Sequence, residues 1–296
     1  MAYVCRVDRD DIAIRTGYFS IAGNVALAVI KALAGVFGNS YALIADAIES
    51  TTDIFSSTLV LLGLKYARRP ADENHPYGHG KIEPLITFLV VAFLVVSATV
   101  IAVESIEHIR TPHRVPASWT LLVLGGIIIW KEVSYRLVMR RGIETGSTSL
   151  QADAWHHRSD AITSVAAFVG ISIAVVGGPG YETADDWAAL LASVFILYNA
   201  YLIFRPALGE IMDEHVHDEL IETIREVAAT VPGILGTEKC FVRKSGMLYH
   251  VDLHALVDGS HTVTTGHDLA HLLKDELMAR IPGLGQVLIH VEPFRD

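Results

Sequence analysis

Apolar positions along this chain follow two regimes. Up to about residue 206 they gather into runs of ~20 residues or more separated by short polar links; beyond it they recur with the periods of amphipathic helices and strands. Six apolar segments, at about 12–37, 41–66, 82–108, 117–141, 150–176 and 184–206, each approach the ~20 residues a membrane-spanning helix needs. The links at Gly38, Asn39 and Ser40 and at Gly177 to Gly180 carry no Lys or Arg. The links with Arg68, Arg69 and Lys81, and with Arg136, Arg140 and Arg141, are basic, as is the N-terminal arm with Arg6, Arg9 and Arg15; the loop with Arg110 and Arg114 dissents. The positive-inside rule then predicts a multi-pass membrane protein with both termini cytoplasmic.

From Glu210 onward the pattern changes. A helix is expected from Asp218 to Thr230, stopped by Val231, Pro232 and Gly233. Strand-like runs near 236–243 and 247–257 flank a hairpin turn at Lys244, Ser245 and Gly246. An amphipathic helix over about 262–280, ended by Ile281, Pro282 and Gly283, precedes a last strand at about 286–292. The order αββαβ predicts a small ferredoxin-like α+β domain with its helices on one sheet face. The expected fold is therefore a six-helix, all-α transmembrane domain over residues 1–208 and a cytoplasmic α+β domain over 209–296.

Into this pattern fall two related octapeptides, Asp46 to Asp53 and Asp153 to Asp160, each inside a segment expected to cross a bilayer. An ionisable residue there is costly and is by default a functional-site hypothesis. Glu49 and Asp53 are four apart, as are His156 and Asp160, so each pair shares one helix face. The second helix runs inward and the fifth outward. At 1.5 Å per residue Glu49 and Asp53 lie about 12–18 Å below the outer end, and His156 and Asp160 about 9–15 Å above the inner end. The pairs thus meet near mid-bilayer, and Ala45, Ala47, Ala152, Ala154 and Ser159 permit close approach. Three carboxylates and an imidazole suit Zn²⁺ and admit Fe²⁺ or Mn²⁺, while the absence of thiolates argues against copper(I). An imidazole titrates near pH 6.5 in water, which makes His156 the natural proton-coupling group. No basic residue is expected mid-helix in register to neutralise the carboxylates as a mere structural ion pair. Asp46 and Asp153 lie beside the ligands as supporting residues: Asp46 is read as a partner of Lys31, and Asp153 as a first-turn carboxylate favoured by the helix dipole. His157 is read as an interfacial or packing histidine, turned about 100° from His156.

Other polar groups are weighed against simpler readings. Asp72, His75 and His79 place three ligand-competent groups in one loop, enough for zinc with a water. Strand alternation puts His250, Asp252 and His254 on one face of their strand, His290 and Glu292 on one face of the last strand and Glu238 with Cys240 on one face of the first, so one sheet face collects ligand-type residues while the other packs on helices. His267, Asp268 and His271 have a spacing reminiscent of a zinc-hydrolase helix, with Asp268 a short base. The net charge of −10 and the absence of a basic stripe exclude nucleic acid as partner. Two distant cysteines, Cys5 and Cys240, suggest reduced thiols rather than a disulfide scaffold, and the charged N-terminus does not read as a cleaved signal peptide.

The run Gly38 to Asp53, the loop Pro70 to Lys81 and the pair His156 and Asp160 resemble the signatures of cation diffusion facilitators. That resemblance covers essentially the whole chain. It implies a homodimer in the lipid bilayer that exports divalent metal from the cytoplasm against protons, with zinc first and Fe²⁺, Mn²⁺ and Cd²⁺ admitted. Glu49 stands where the family usually has Asp or His. The resemblance also implies a regulatory or delivery site at Asp72, His75 and His79, and a cytoplasmic metal site at Glu238, His254, His290 and Glu292 with His267 nearby, Glu238 replacing a family histidine. It further implies a charged interlock between Lys81 and Asp213. The competing functions are a non-transporting, metal-sensing scaffold and a membrane-anchored zinc hydrolase.

Overall fold

The computed structural model describes the backbone of residues 2–37, 41–110, 120–177, 181 and 183–294. Within these, the side chains of 2–10, 34–37, 41–49, 51, 52, 108, 120, 163, 167, 171, 174, 175, 185 and 189 lie outside the description. The side chains of Asp46 and Glu49 are therefore outside it, as are the links at 38–40 and 111–119.

Six long helices come first: α1 (Ala2–Phe37), α2 (Tyr41–Ala67), α3 (Ile82–Arg110), α4 (Thr120–Thr145), α5 (Thr148–Gly177) and α6 (Ala184–Ile211). Each expected segment falls on one of them, with ends shifted most at the N-terminus, where α1 continues back through the polar arm. Among the described residues, three stretches are long and apolar enough to cross a membrane: Asp11–Leu33, Ile82–Glu107 and Asp186–Ile211. On α4 the charges of Lys131, Glu132 and Arg136 interrupt the apolar run.

The bundle buries a set of polar groups and turns many apolar ones outward. Ser20, Asn24, Ser57, Lys131 and Asp153 are buried, while Leu122 is 82% and Leu191 72% exposed. Such a surface suits hydrocarbon, where backbone polar groups must be satisfied within each helix. Helix α1 packs on α2, α4 on α5, and α6 on both α3 and α5. Val60, Leu64, Val90, Leu94 and Ile196 form the apolar core between them. Ala152 and Ala154 are fully buried on α5, where small side chains let backbones approach. At Gly63 a Cβ would lie 2.6 Å from Ile86 Cγ1, so α2 and α3 need that glycine to pack as they do.

The remaining elements are α7 (Asp218–Ala229), β1 (Gly236–Ser245), β2 (Leu248–Val257), α8 (Val263–Arg280) and β3 (Leu284–Pro293). Strand β2 is central, antiparallel to β1 and parallel to β3, with α8 as the crossover that a parallel pair requires. The hairpin turn sits at Gly246 and Met247, slightly later than expected, because β1 extends through Ser245 and Gly246 supplies the positive φ of 61°. Ile221, Ile224 and Ala228 of α7 and Leu273 and Leu277 of α8 cover Val251, Leu253, Ala255 and Val287, closing a core confined to this domain. Thr262 caps α8 by accepting from Thr265 N.

Candidate metal sites

In the middle of the helical bundle α2 presents Asp53 and α5 presents His156 and Asp160. One ligand atom from each lies within 4.8 Å of the others. His156 Nε2 is 2.9 Å from Asp53 Oδ1, and both side chains are buried. The fourth expected residue, Glu49, is one helical turn from Asp53 on α2, and its side chain lies outside the described residues. One expectation is corrected here. Lys131 of α4 reaches into the cluster and donates to Asp53 Oδ2 at 2.8 Å and to Asp160 Oδ2 at 2.7 Å. A basic residue does lie mid-bundle in register with the carboxylates, as burial of paired charge demands.

Next to this cluster is a second polar group. Asp153, fully buried, accepts from Ser20 at 2.6 Å and from Ser57 at 2.7 Å, and Asn24 donates to Ser57 at 3.0 Å. Because α5 begins at Thr148, Asp153 sits in its second turn rather than its first, and these hydroxyls rather than the helix end hold its carboxylate. Of its two readings His157 takes the packing one: it is buried, with Nε2 2.7 Å from Ser20 Oγ and 3.8 Å from Asp153. Lys31 donates to Ser50 Oγ at 2.9 Å; whether it also meets Asp46 falls outside the described side chains.

The loop between α2 and α3 brings Asp72, His75 and His79 together. Asp72 Oδ1 accepts from the backbone N–H of Asn74 at 3.0 Å and of His75 at 2.7 Å. His79 Nε2 lies 3.3 Å from Asp72 Oδ2, and the two imidazole rings are 4.5 Å apart. The His75 N–H holds the Asp72 carboxyl below its ordinary value, which favours the ionised carboxylate.

In the C-terminal domain His254 and His290 are register partners on β2 and β3, with rings 4.8 Å apart. Glu292 Oε1 lies 2.7 Å from His254 Nδ1 and 3.5 Å from His290 Nε2. The hydrogen bond from His254 is the first cause of a lowered Glu292 pKa; contact with Glu238 is the next. Glu238 thus joins this face, but Cys240 does not share it. A bulge between Thr237 and Cys240 adds a residue to β1, leaves Glu238 exposed and turns Cys240 into the core. His267 is also elsewhere: on α8 it faces His271, ring centroids 4.5 Å apart. His250 is buried beneath the loop, its ring 6.4 Å from that of Tyr77.

Between the two halves Lys81 Nζ meets Asp213 Oδ1 at 2.7 Å and also the Glu210 carbonyl. Glu210 in turn receives Lys244 at 3.2 Å and Gly246 N–H at 3.0 Å. Glu83, fully buried at the start of α3, accepts from Ser149 at 3.0 Å and from Ser147. The resemblance pointed to Lys81 and Asp213 as a pair; Lys131, Ser20, Ser57 and Glu83 carry no signal of their partners in the sequence.

With known proteins the chain compares as follows. Residues 18–212 match the family described as Cation efflux transmembrane domain, and residues 216–294 match Cation efflux protein, cytoplasmic domain. It is 29% identical over 294 residues to the Manganese efflux system protein MneP of Bacillus subtilis (strain 168), covering 97% of this chain and 98% of that protein. It is 30% identical over 273 residues to the Cation-efflux pump FieF of Serratia proteamaculans (strain 568), covering 90% of this chain and 88% of that one. Identity is also 30% over 286 residues to the Magnetosome protein MamM of Paramagnetospirillum magneticum (strain ATCC 700264 / AMB-1), covering 93% and 87%.

Proposed function

The chain belongs to the cation efflux family, and from that premise we propose that it exports a divalent transition metal from the cytoplasm in exchange for protons. As a member of a family of metal-cation transporters it is a multi-pass membrane protein and not an enzyme. The hydrolase reading of His267, Asp268 and His271 is therefore withdrawn. All six long helices span the inner membrane, both termini are cytoplasmic, and the domains divide at residues 208 and 209.

The observation that carries the proposal is the convergence of Asp53, His156 and Asp160 from two helices at the buried centre of the bundle. Oxygen and imidazole donors of this kind suit Zn²⁺, Fe²⁺, Mn²⁺ and Cd²⁺, with Glu49 as the fourth ligand. Zinc is placed first on the donor set; the manganese efflux relative keeps Mn²⁺ close behind. Asp72, His75 and His79 collect metal at the cytoplasmic loop. Glu238, His254, His290 and Glu292 bind it as a regulator that draws two protomers of a homodimer together, since a two-fold axis presents the same sheet face twice. Lys81 and Asp213 join this domain to the helices.

Uptake into proteoliposomes, one metal at a time and with an imposed pH gradient, tests the reading. Metal should enter against the proton gradient and stop when an ionophore collapses it. Uptake of none of the four ions, or uptake indifferent to the gradient, rejects export or antiport respectively.

A further inference from the structure

Lys131 stands where a metal shared by Asp53 and Asp160 would stand. Its Nζ is 2.8 Å from Asp53 Oδ2 and 2.7 Å from Asp160 Oδ2, and the lysine side chain is 1% exposed. A divalent ion taking the same two oxygens needs them at about 2.0–2.2 Å, which places it within ~5 Å of that ammonium wherever it sits. Two cations that close, shielded from water, repel strongly. One must leave whenever the other arrives. The Asp53 oxygen facing His156 is not the one Lys131 uses, so the lysine blocks the shared side of the cluster and leaves the imidazole side in place.

We propose, resting on the metal site described above, that Lys131 is a tethered counter-cation. It fills the site between cargo ions, each arriving divalent ion displaces its ammonium from Asp53 and Asp160, and it returns as the ion departs. The chemistry gives it two consequences. Carboxylates left without a cation are costly to carry through a conformational change in an apolar interior, and Lys131 supplies one that cannot diffuse away. Metal must also win its ligands from a cation held permanently beside them, which limits affinity and favours release. A lysine that merely staples α4 to α2 and α5 would show neither effect.

The test uses the full-length protein in detergent, titrated with Zn²⁺ and Mn²⁺ by calorimetry, and the same protein in proteoliposomes. Lys131→Met should bind metal about tenfold more tightly or better, because the competing charge is gone, and should turn over more slowly. Lys131→Arg, which keeps the charge, should stay within about threefold of the parent. Binding by Lys131→Met that is unchanged or weaker overturns the proposal. Reductive methylation of the parent, read by mass spectrometry at Lys131, needs no substitution: saturating zinc should raise labelling, and labelling that is unchanged or lower also overturns it. Asp53→Ala separates the two readings. If it binds metal like the parent, the metal site itself is wrong; if it loses binding while Lys131→Met matches the parent, only the tethered cation fails.

Discussion

Asp53→Ala should abolish metal uptake and leave the protein folded. Asp53 accepts from Lys131 at 2.8 Å and faces His156 at 2.9 Å. At that separation and an effective dielectric of ~20, the attraction to Lys131 alone is about 6 kcal/mol. Little of this reaches the folding equilibrium. The substitution also removes a charge whose burial costs several kcal/mol, and Lys131 keeps Asp160 at 2.7 Å. The net loss expected is that of one charge-assisted hydrogen bond, about 1.5–3 kcal/mol. Metal has no such compensation, because alanine offers neither charge nor a lone pair to replace the hydration shell. Thermal unfolding in detergent and uptake of zinc and manganese into proteoliposomes measure the two effects. Adding Lys131→Met to both backgrounds completes a double-mutant cycle with an expected coupling of about 2 kcal/mol. Uptake near the parental rate would refute the ligand assignment, and additivity within ~0.5 kcal/mol would refute the buried ion pair.

The loop cluster predicts a different phenotype: His75→Ala with His79→Ala should raise the metal concentration for half-maximal uptake and spare the maximal rate, read from initial uptake rates across a metal titration. Leu253→Ala, at a fully buried core position, should cost the C-terminal domain about 2–5 kcal/mol and broaden or abolish its unfolding transition by circular dichroism. The core of residues 210–296 closes without the helices, so that fragment should fold alone and gain thermal stability with zinc; His254→Ala with His290→Ala should remove the gain, and an undiminished response would leave this face as solvated surface. Because Glu292 is held below its ordinary value of 4.5, its contribution to stability is present above that pH and lost as pH falls through the lowered value. Glu292→Gln should therefore flatten the acid limb of the fragment's melting temperature, and an unaltered limb below about pH 4.5 would show that the contact with His254 carries no stability.

Most of the architecture was legible because long apolar runs and breakers are local signals. Val231, Pro232 and Gly233 stop α7 where a helix must stop, and Gly233 takes a φ of 90° that few other residues accept. Asp53, His156 and Asp160 were legible because their fourfold spacing is a helix repeat, and antiparallel packing did the rest. The errors have one physical origin, which is that partners distant in sequence leave no local trace. Lys131 was visible in the fourth apolar segment, yet its two carboxylates lie 78 and 29 residues away on other helices. Ser20 and Ser57 are single hydroxyls in apolar runs, and only packing shows that both aim at Asp153. The bulge in β1 adds one residue without changing composition, so alternation placed Glu238 and Cys240 on one face when the fold separates them.

Four residues at and just before the start of α3 connect parts of the protein far apart in sequence. His79 belongs to the loop cluster, and a Cβ on Gly80 would lie 2.5 Å from the Ser245 carbonyl oxygen, so β1 abuts the loop directly. Lys81 then pairs with Asp213 at the exit from α6, and Glu83 accepts from Ser149 on α5. Helix α5 is also the one that carries His156 and Asp160. Backbone packed on backbone at Gly80 transmits displacement, since neither side has a flexible chain to give way. A shift of the C-terminal sheet would thus reach α3 first and α5 through Glu83, arriving at the helix that presents two of the three clustered residues. The half-exposed Lys81–Asp213 pair contributes at most about 1 kcal/mol by itself. Its importance lies in its place: it lies between Gly80 and Glu83, so the loop, the sheet and the helix carrying His156 and Asp160 meet at one junction.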